Sequence, residues 1–166
     1  GQKLGLLKVR LYRPFAADVF ARRIVGWACA TTMDTRELPL QALEQAISWA
    51  ASHGGTDGLV HHSDHGARYI GLVCTTRVGE FGMLPSAGTV GDSYDNAMAE
   101  SADGAYETEL VWWRKPFADL AELELATFRW VSWWNSKRLH QSLGYRTPEQ
   151  IETEYYADQA VQAASL

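Results

Sequence analysis

The chain has 166 residues, of which 46% are hydrophobic and 21% charged, a composition typical of one globular domain and not of a disordered tail. No apolar run reaches about 18 residues, so no membrane span is expected, and two distant cysteines exclude a disulfide framework and a four-cysteine zinc site. The formal net charge of −5 neither supports nor excludes a nucleic-acid partner, because basic pairs such as Lys137-Arg138 can act locally.

The first half of the chain alternates strand and helix patterns. β-branched and aromatic residues predict a strand over residues 22–31. Apolar residues at near-helical spacing predict an amphipathic helix from Glu37 to Ala51, ended by the glycines after His53. A short strand over residues 58–62 should run into a polar turn at 63–66, and a short helix over 75–81 and a short strand over 82–85 should follow.

The second half of the chain is mainly helical. Asp92 and Ser93 are good N-cap residues and predict the start of a helix. The strongest helix prediction covers residues 117–134, where apolar residues recur on one side. Thr147 followed by Pro148 predicts the start of a last short helix. The alternation of strands and helices favours an α/β domain with a mixed sheet.

Two carboxylates, Asp64 at a strand end and Glu100 within a helix, are the candidate catalytic residues. Thirty-five residues lie between them. Carboxylates from a strand end and a neighbouring helix can converge on hard cations, which prefer oxygen ligands. Two such cations about 3.5–4 Å apart can activate the attacking oxygen and stabilise the leaving one at phosphorus. The spacing alone, however, also suits two solvated surface carboxylates.

The segments around these acids resemble four motifs of the insertion-sequence transposases related to retroviral integrases, the large "IS-three" family. They are Asp18 with residues 19–27 (VFARRIVGW), residues 61–69 (HHSDHGARY), residues 91–101 (GDSYDNAMAES) and residues 134–149 (WNSKRLHQSLGYRTPE). The motifs stand in the family's order, and the 35-residue interval matches its aspartate–glutamate spacing. The resemblance covers residues 18–156, with an atypical segment at 1–17 and a tail at 157–166.

The resemblance implies a ribonuclease-H-like fold, a mixed sheet flanked by helices, in which three acids bind Mg²⁺ (or Mn²⁺). By motif match, Asp64 is the second acid and Glu100 the third. The implied activity is metal-dependent cleavage of a DNA phosphodiester and strand transfer. The implied partners are the DNA of the element ends and target and further copies of the chain. A bacterial cytoplasm is the implied compartment, which also suits a chain with only two cysteines.

The first acid of the family's triad is not identifiable. No acid precedes Asp18, and nothing over residues 1–17 resembles the family's first strand, so that strand is expected to be missing or altered. Asp18 is the remaining candidate for a third ligand, but bonding of the turn towards Ala21 is the favoured role. Truncation, a shifted reading frame or decay would each produce this pattern. An impaired copy is therefore expected, and an inactive transposase remnant is the alternative.

The DNA-binding residues implied by the resemblance are His62, His65, Asn96, Lys137, Arg138 and His140. The residues after position 134 also suit a simpler role, because cations are favoured at a helix C-terminus. Where the family has a lysine seven residues after the glutamate, this chain has Glu107. Glu107 should share a helix face with Glu100 and Asp103, which adds negative charge and weakens DNA binding.

The histidine-rich segment at His61–His65 suggests a rival class, a zinc-dependent hydrolase. Histidine and aspartate are common zinc ligands. The hydrolase pattern His-x-His-x-Asp-His would need a histidine at position 60, which is Val60. The match misses by one residue, and a polar strand end explains the same residues.

Overall fold

The computed structural model describes residues 15–30, 37–61, 68–85, 100–113 and 116–165. In chain order the first elements are β1 (Phe15–Ala17), β2 (Ile24–Trp27), α1 (Leu38–Ser52), β3 (Val60–His61), α2 (Arg68–Glu80) and β4 (Leu84–Pro85). Helix α3, described from residue 100 to 106, continues as a π-helical turn at Glu107–Val111. Then come α4 (Leu120–Ser136), a 3₁₀ turn (Gln141–Leu143) and α5 (Pro148–Ala164). The predicted α/β class is confirmed.

The strands that are described form two separate two-stranded sheets. β1 and β2 are antiparallel, with Phe15 opposite Trp27, and β3 and β4 are parallel, with Val60 opposite Leu84. The strands predicted within 22–31, 58–62 and 82–85 are present but shorter than predicted. The predicted polar turn at 63–66 and most of the atypical segment at 1–17 lie outside the described residues.

Asp18 closes the turn between β1 and β2. Its backbone N–H donates to the carbonyl of Arg23 at 2.8 Å. Its carboxylate accepts from the backbone N–H of Phe20 at 3.3 Å and of Ala21 at 2.9 Å. This is the turn-bonding role predicted for Asp18, and it occupies both carboxylate oxygens.

Helix α1 packs directly on β2 at Gly26. A Cβ placed on Gly26 would lie 2.0 Å from the carbonyl oxygen of Ala42, so a larger residue could not fit without displacing backbone. The buried residues of α1 recur along one side: Leu38, Ala42, Leu43, Ile47 and Ala50. The helix was predicted within one residue at each end, because its buried face has a regular apolar period.

The main hydrophobic cluster joins α3 and α4 to β2. Its buried members are Ile24, Ala102, Tyr106, Leu110, Ala126, Trp130, Val131 and Trp134. The rings of Phe15 and Trp130 both pack on Tyr106, with centroids 5.2 and 5.0 Å away. A second cluster lies between α1 and α2 and contains Leu43, Ile47, Cys74 and Val78. In the main cluster, α4 therefore packs against both α3 and β2.

Two helices are longer than predicted. α2 begins at Arg68, not at residue 75. α5 has the predicted start, a capping box between Thr147 and Gln150, but runs for 17 residues to Ala164 and is not short. From residue 153 onward its side chains are exposed, so no apolar period marks its length. In the part of the chain that is described, no helix has both the length and the apolar character needed to cross a bilayer.

Candidate functional site

Helix α3 has two chemically different faces. Ala102, Tyr106 and Leu110 recur at intervals of four residues and are buried. Glu100 and Glu107 are exposed on the helix, seven residues apart. Glu100 and Glu107 therefore share one exposed face, as predicted, whereas Asp103, which was predicted on the same face, is half-buried.

The carboxylate of Glu100 is available for a ligand as far as the structure describes its surroundings. It is exposed and forms no hydrogen bond or ion pair with another described residue. An exposed carboxylate on an anchored helix has the oxygen donors that a hard cation requires. Asp64, His62 and His65 lie outside the described residues, as does Asn96. The predicted convergence of Asp64 and Glu100 therefore stays a prediction.

A pair of buried hydroxyl groups ties α3 to α4. The hydroxyl of Tyr106 hydrogen-bonds to Oγ1 of Thr127, and Thr127 in turn donates to the carbonyl of Leu123 at 2.8 Å. The thiol of Cys29 also lies 3.5 Å from Oγ1 of Thr127. Both Tyr106 and Thr127 are fully buried, so this link fixes the first turns after Glu100.

Glu109 and Arg138 form a second link between α3 and the end of α4. The carboxylate of Glu109 accepts from the indole N–H of Trp130 at 3.2 Å and from the guanidinium of Arg138. The guanidinium also lies over the rings of Trp133 and Trp134, 5.4 and 4.8 Å from their centroids. Arg138, a predicted DNA contact, is thus already engaged within the protein. A phosphate would have to compete with Glu109 for it.

The other described members of the predicted DNA-binding group differ in exposure. Lys137 is exposed at the end of α4. His140 is 9% exposed, its Nε2 donates to the carbonyl of Trp134 at 3.3 Å, and its ring packs edge-on against that of Trp134. Burial lowers the pKa of His140, although the bond to the Trp134 carbonyl acts in the opposite direction. This environment favours a packing role for His140 over a phosphate contact.

Two side-chain amides form hydrogen bonds with the backbone of β2. The sequence did not predict this structural role for either residue. Asn135 in α4 accepts from the backbone N–H of Ile24 and donates to its carbonyl, both at 2.9 Å. Gln45 in α1 does the same for Trp27, at 3.0 and 2.7 Å. The amides replace the hydrogen bonds that a further strand would form and so cover this strand's backbone.

The described residues hold no group of three or more histidine, cysteine, aspartate or glutamate side chains placed to bind a metal ion. Of the histidine-rich segment, only His61 is described. It lies at the end of β3, three residues before Asp64. Among the described residues, the candidate metal ligands are Glu100 and Asp18, and the carboxylate of Asp18 already bonds the β1–β2 turn.

Comparison with known proteins shows which protein family this chain is similar to. Residues 82–148 match the family described as "Integrase core domain". The chain is 48% identical over 147 residues to the transposase for insertion sequence element IS629 of Shigella sonnei, covering 89% of this chain and 48% of the relative. It is 44% identical over 155 residues to a Mycobacterium tuberculosis protein provisionally named the transposase of IS986/IS6110, covering 92% of this chain and 55% of the relative.

A more distant relative is also named a transposase of an insertion sequence. Transposase InsF for insertion sequence IS3A of Escherichia coli K12 is 25% identical over 148 residues, covering 89% of this chain and 50% of the relative. The chain thus spans about half the length of the curated relatives it matches. No solved structure matches the chain. None of these matches supports the zinc-hydrolase alternative.

Proposed function

Since the chain belongs by sequence to the insertion-sequence transposases with an integrase core domain, we propose that it forms the catalytic core of such an enzyme. Residues 18–156 form this core, flanked by residues 1–17 and 157–166. The reaction is hydrolysis of a phosphodiester at the end of the element, followed by attack of the freed 3′-hydroxyl on another DNA strand. Several copies of the chain assemble on DNA in the bacterial cytoplasm.

The observation that carries the proposal is the arrangement of α3. Its buried face includes Tyr106, which is bonded to Thr127 in α4, and its other face presents the exposed carboxylate of Glu100. A catalytic carboxylate must be held in place by its support while its oxygens stay accessible to a ligand. Glu100 meets both conditions.

We propose that Asp64 and Glu100 hold the divalent cations, Mg²⁺ or Mn²⁺. Glu100 fits, because its oxygens are of the donor type that hard cations prefer. Such cations would offset the charge on the attacking and leaving oxygens at phosphorus. The residues of the chain orient the DNA strand: Lys137 is exposed and suited to a phosphate contact, and His62, His65 and Asn96 are proposed to act beside it.

We propose further that the two small sheets are parts of one ribonuclease-H-like mixed sheet. The β1–β2 hairpin contributes antiparallel pairing and β3–β4 contributes parallel pairing, the two kinds that such a sheet combines. β3 ends three residues before Asp64, which suits an acid following a strand end. The strand that carries the first acid in the family is proposed to be altered in this chain.

The role of Asp18 favours a second candidate, a folded core without activity. Both carboxylate oxygens of Asp18 accept backbone N–H groups, from Phe20 and Ala21, so a metal ion would have to compete with the turn. Without Asp18, no acid of residues 1–18 remains for the first position of the triad. The folded core would then hold Asp64 and Glu100 without a third acid from residues 1–18.

A strand-transfer assay with Mn²⁺ and a pre-cut element end separates the two candidates. An active core yields joined product that is lost in Asp64→Asn and Glu100→Gln and kept in Asp158→Asn, a control on the exposed part of α5. If the folded chain gives no product under conditions where the matching segment of a relative does, the chain is an inactive core. Product that survives both Asp64→Asn and Glu100→Gln contradicts the proposed metal site.

A further inference from the structure

Two adjacent tryptophans lie almost fully exposed at the end of α3. Trp112 is 81% exposed and Trp113 is 82% exposed. Tryptophan has the largest apolar surface of any side chain and is on average strongly buried. An exposed pair of indoles is therefore a candidate for an interaction surface.

The backbone beneath the two indoles is anchored. The backbone N–H of Trp112 donates to the carbonyl of Glu107 at 3.0 Å, which closes the π-helical turn. Leu110, two residues earlier, is buried in the main cluster, and Val111 packs against that cluster. The pair is thus presented by a fixed support, whereas Trp130 and Trp134 use their rings to build the core.

The two residues that follow the pair in the sequence suit an anionic partner. The sequence continues with two cations, Arg114 and Lys115, in a chain whose net charge is −5. Glu109, the nearest acid before the pair in the sequence, is already paired with Arg138. Aromatic rings next to cations suit a nucleic-acid strand, because bases stack on the rings while phosphates attract the cations.

The position of the pair relative to Glu100 also suits such a strand. Trp112 lies twelve positions after Glu100, which is roughly 18 Å along a helix with a rise of about 1.5 Å per residue. A DNA strand advances about 3.4 Å per nucleotide. A strand that runs along the helix axis would therefore place the indoles about five nucleotides from a phosphate held at Glu100.

We infer that Trp112 and Trp113 form a stacking platform for unpaired bases of a DNA strand whose scissile phosphate lies at Glu100. The five-nucleotide placement rests on the proposed function. The stacking itself does not, because it requires only exposed rings and a strand with unpaired bases. Unpaired bases are the preferred ligand, since the rings can reach base faces only where a duplex is open.

Fluorescence anisotropy with a labelled single-stranded oligonucleotide and a matched blunt duplex, both in EDTA, tests this inference. The double variant Trp112→Ala/Trp113→Ala should lose about a hundredfold in single-strand affinity, about tenfold for each indole, and little in duplex affinity. Phe128→Ala, which removes a 60% exposed ring from α4, is the matched control and should bind like the parent. Because no divalent metal is free, an inactive catalytic site does not affect the result.

A second double variant, Trp112→Phe/Trp113→Phe, keeps the aromatic faces and should retain most of the single-strand affinity. Three results would overturn the inference. Single-strand affinity could be unchanged in the alanine variant, or the phenylalanine variant could lose as much as the alanine variant. Sedimentation could also show that the alanine variant is monomeric where the parent is dimeric, with unchanged DNA affinity, which would assign the indoles to a second copy of the chain.

Discussion

The hydroxyl groups of Tyr106 and Thr127 form a hydrogen bond in the core that joins the helix of Glu100 to α4. Tyr106→Phe removes this bond and leaves the ring packing unchanged. The free energy of unfolding should fall by about 1 kcal/mol, the usual contribution of one buried hydrogen bond. Urea denaturation measures the change. Tyr145→Phe, at a 65% exposed position, is the control, and an equal loss in both variants would show that the Tyr106 bond contributes nothing.

The two hydrogen bonds between the Asn135 side chain and the Ile24 backbone should contribute more to the free energy of unfolding. Asn135→Ala leaves a buried N–H and a buried carbonyl of β2 without their partner, and each such group costs about 1–3 kcal/mol. We expect the free energy of unfolding to fall by about 2–4 kcal/mol. Asn135→Asp should be similarly unstable because it loses the donor to the carbonyl.

Ser136→Ala is the matched control for Asn135, since its hydroxyl donates only within α4, to the carbonyl of Ser132, among the bonds described. Its effect on the free energy of unfolding should stay within about 0.5 kcal/mol. A stability of Asn135→Ala equal to that of Ser136→Ala would mean that the strand edge is held by other contacts.

Glu107→Lys should increase DNA affinity. The substitution replaces a negative charge by a positive one on the exposed face shared with Glu100, where phosphate is proposed to approach. Affinity should rise several-fold at low salt, and the logarithmic salt dependence should steepen by about one unit for the added phosphate contact. Binding titrations at several salt concentrations give both values. Glu124→Lys, on an exposed position of α4, controls for net charge, and equal gains in both variants would refute this placement.

His140 should make the fold sensitive to acid. Burial holds the pKa of His140 below its usual value of 6.5, and Arg138 and Arg22 act in the same direction while Glu109 opposes them. Between the lowered pKa and 6.5, the unfolded chain binds more protons than the folded chain, so stability falls as the pH drops through this window.

His140→Gln can keep a donor to the Trp134 carbonyl but does not titrate. The melting temperature of the parent should therefore fall more than that of the variant between about pH 7.5 and about pH 5. Thermal melts followed by circular dichroism measure the two slopes. Parallel slopes would show that His140 is not the group responsible.

Local patterns predicted the parts of the fold that depend on neighbours in sequence. The period of their buried residues predicts α1 within one residue at each end and α4 within three, and the Asp18 turn needs only residues up to Arg23. α5 was predicted too short because its exposed half has no apolar period, only residues compatible with a helix. The first turns of α2 were missed because the helix has no marked apolar face.

The roles of several residues of the candidate site depend on their tertiary contacts, and no local sequence pattern encodes such contacts. The resemblance groups His140 with Lys137 and Arg138 as DNA contacts and gives no separate role to Asn135. The structure instead uses Asn135 on a strand 111 residues earlier in sequence and buries His140 against Trp134. The sequence identifies such side chains as polar, but it does not show which backbone group they reach. The shared exposure of Glu100 and Glu107 was predictable because positions seven residues apart lie on one helix face, whereas the half-burial of Asp103 was not.

We propose above all that the carboxylates of Asp64 and Glu100 share divalent cations. Backbone cleavage directed by bound Fe²⁺, in the presence of ascorbate and peroxide, tests it directly, because cleavage occurs only beside the metal. We predict two cleavage positions, one near residue 64 and one near residue 100, both suppressed by excess Mg²⁺ and both lost in either Asp64→Asn or Glu100→Gln. Cleavage near only one of these residues, or cleavage near residue 64 that persists in Glu100→Gln, would contradict the shared site.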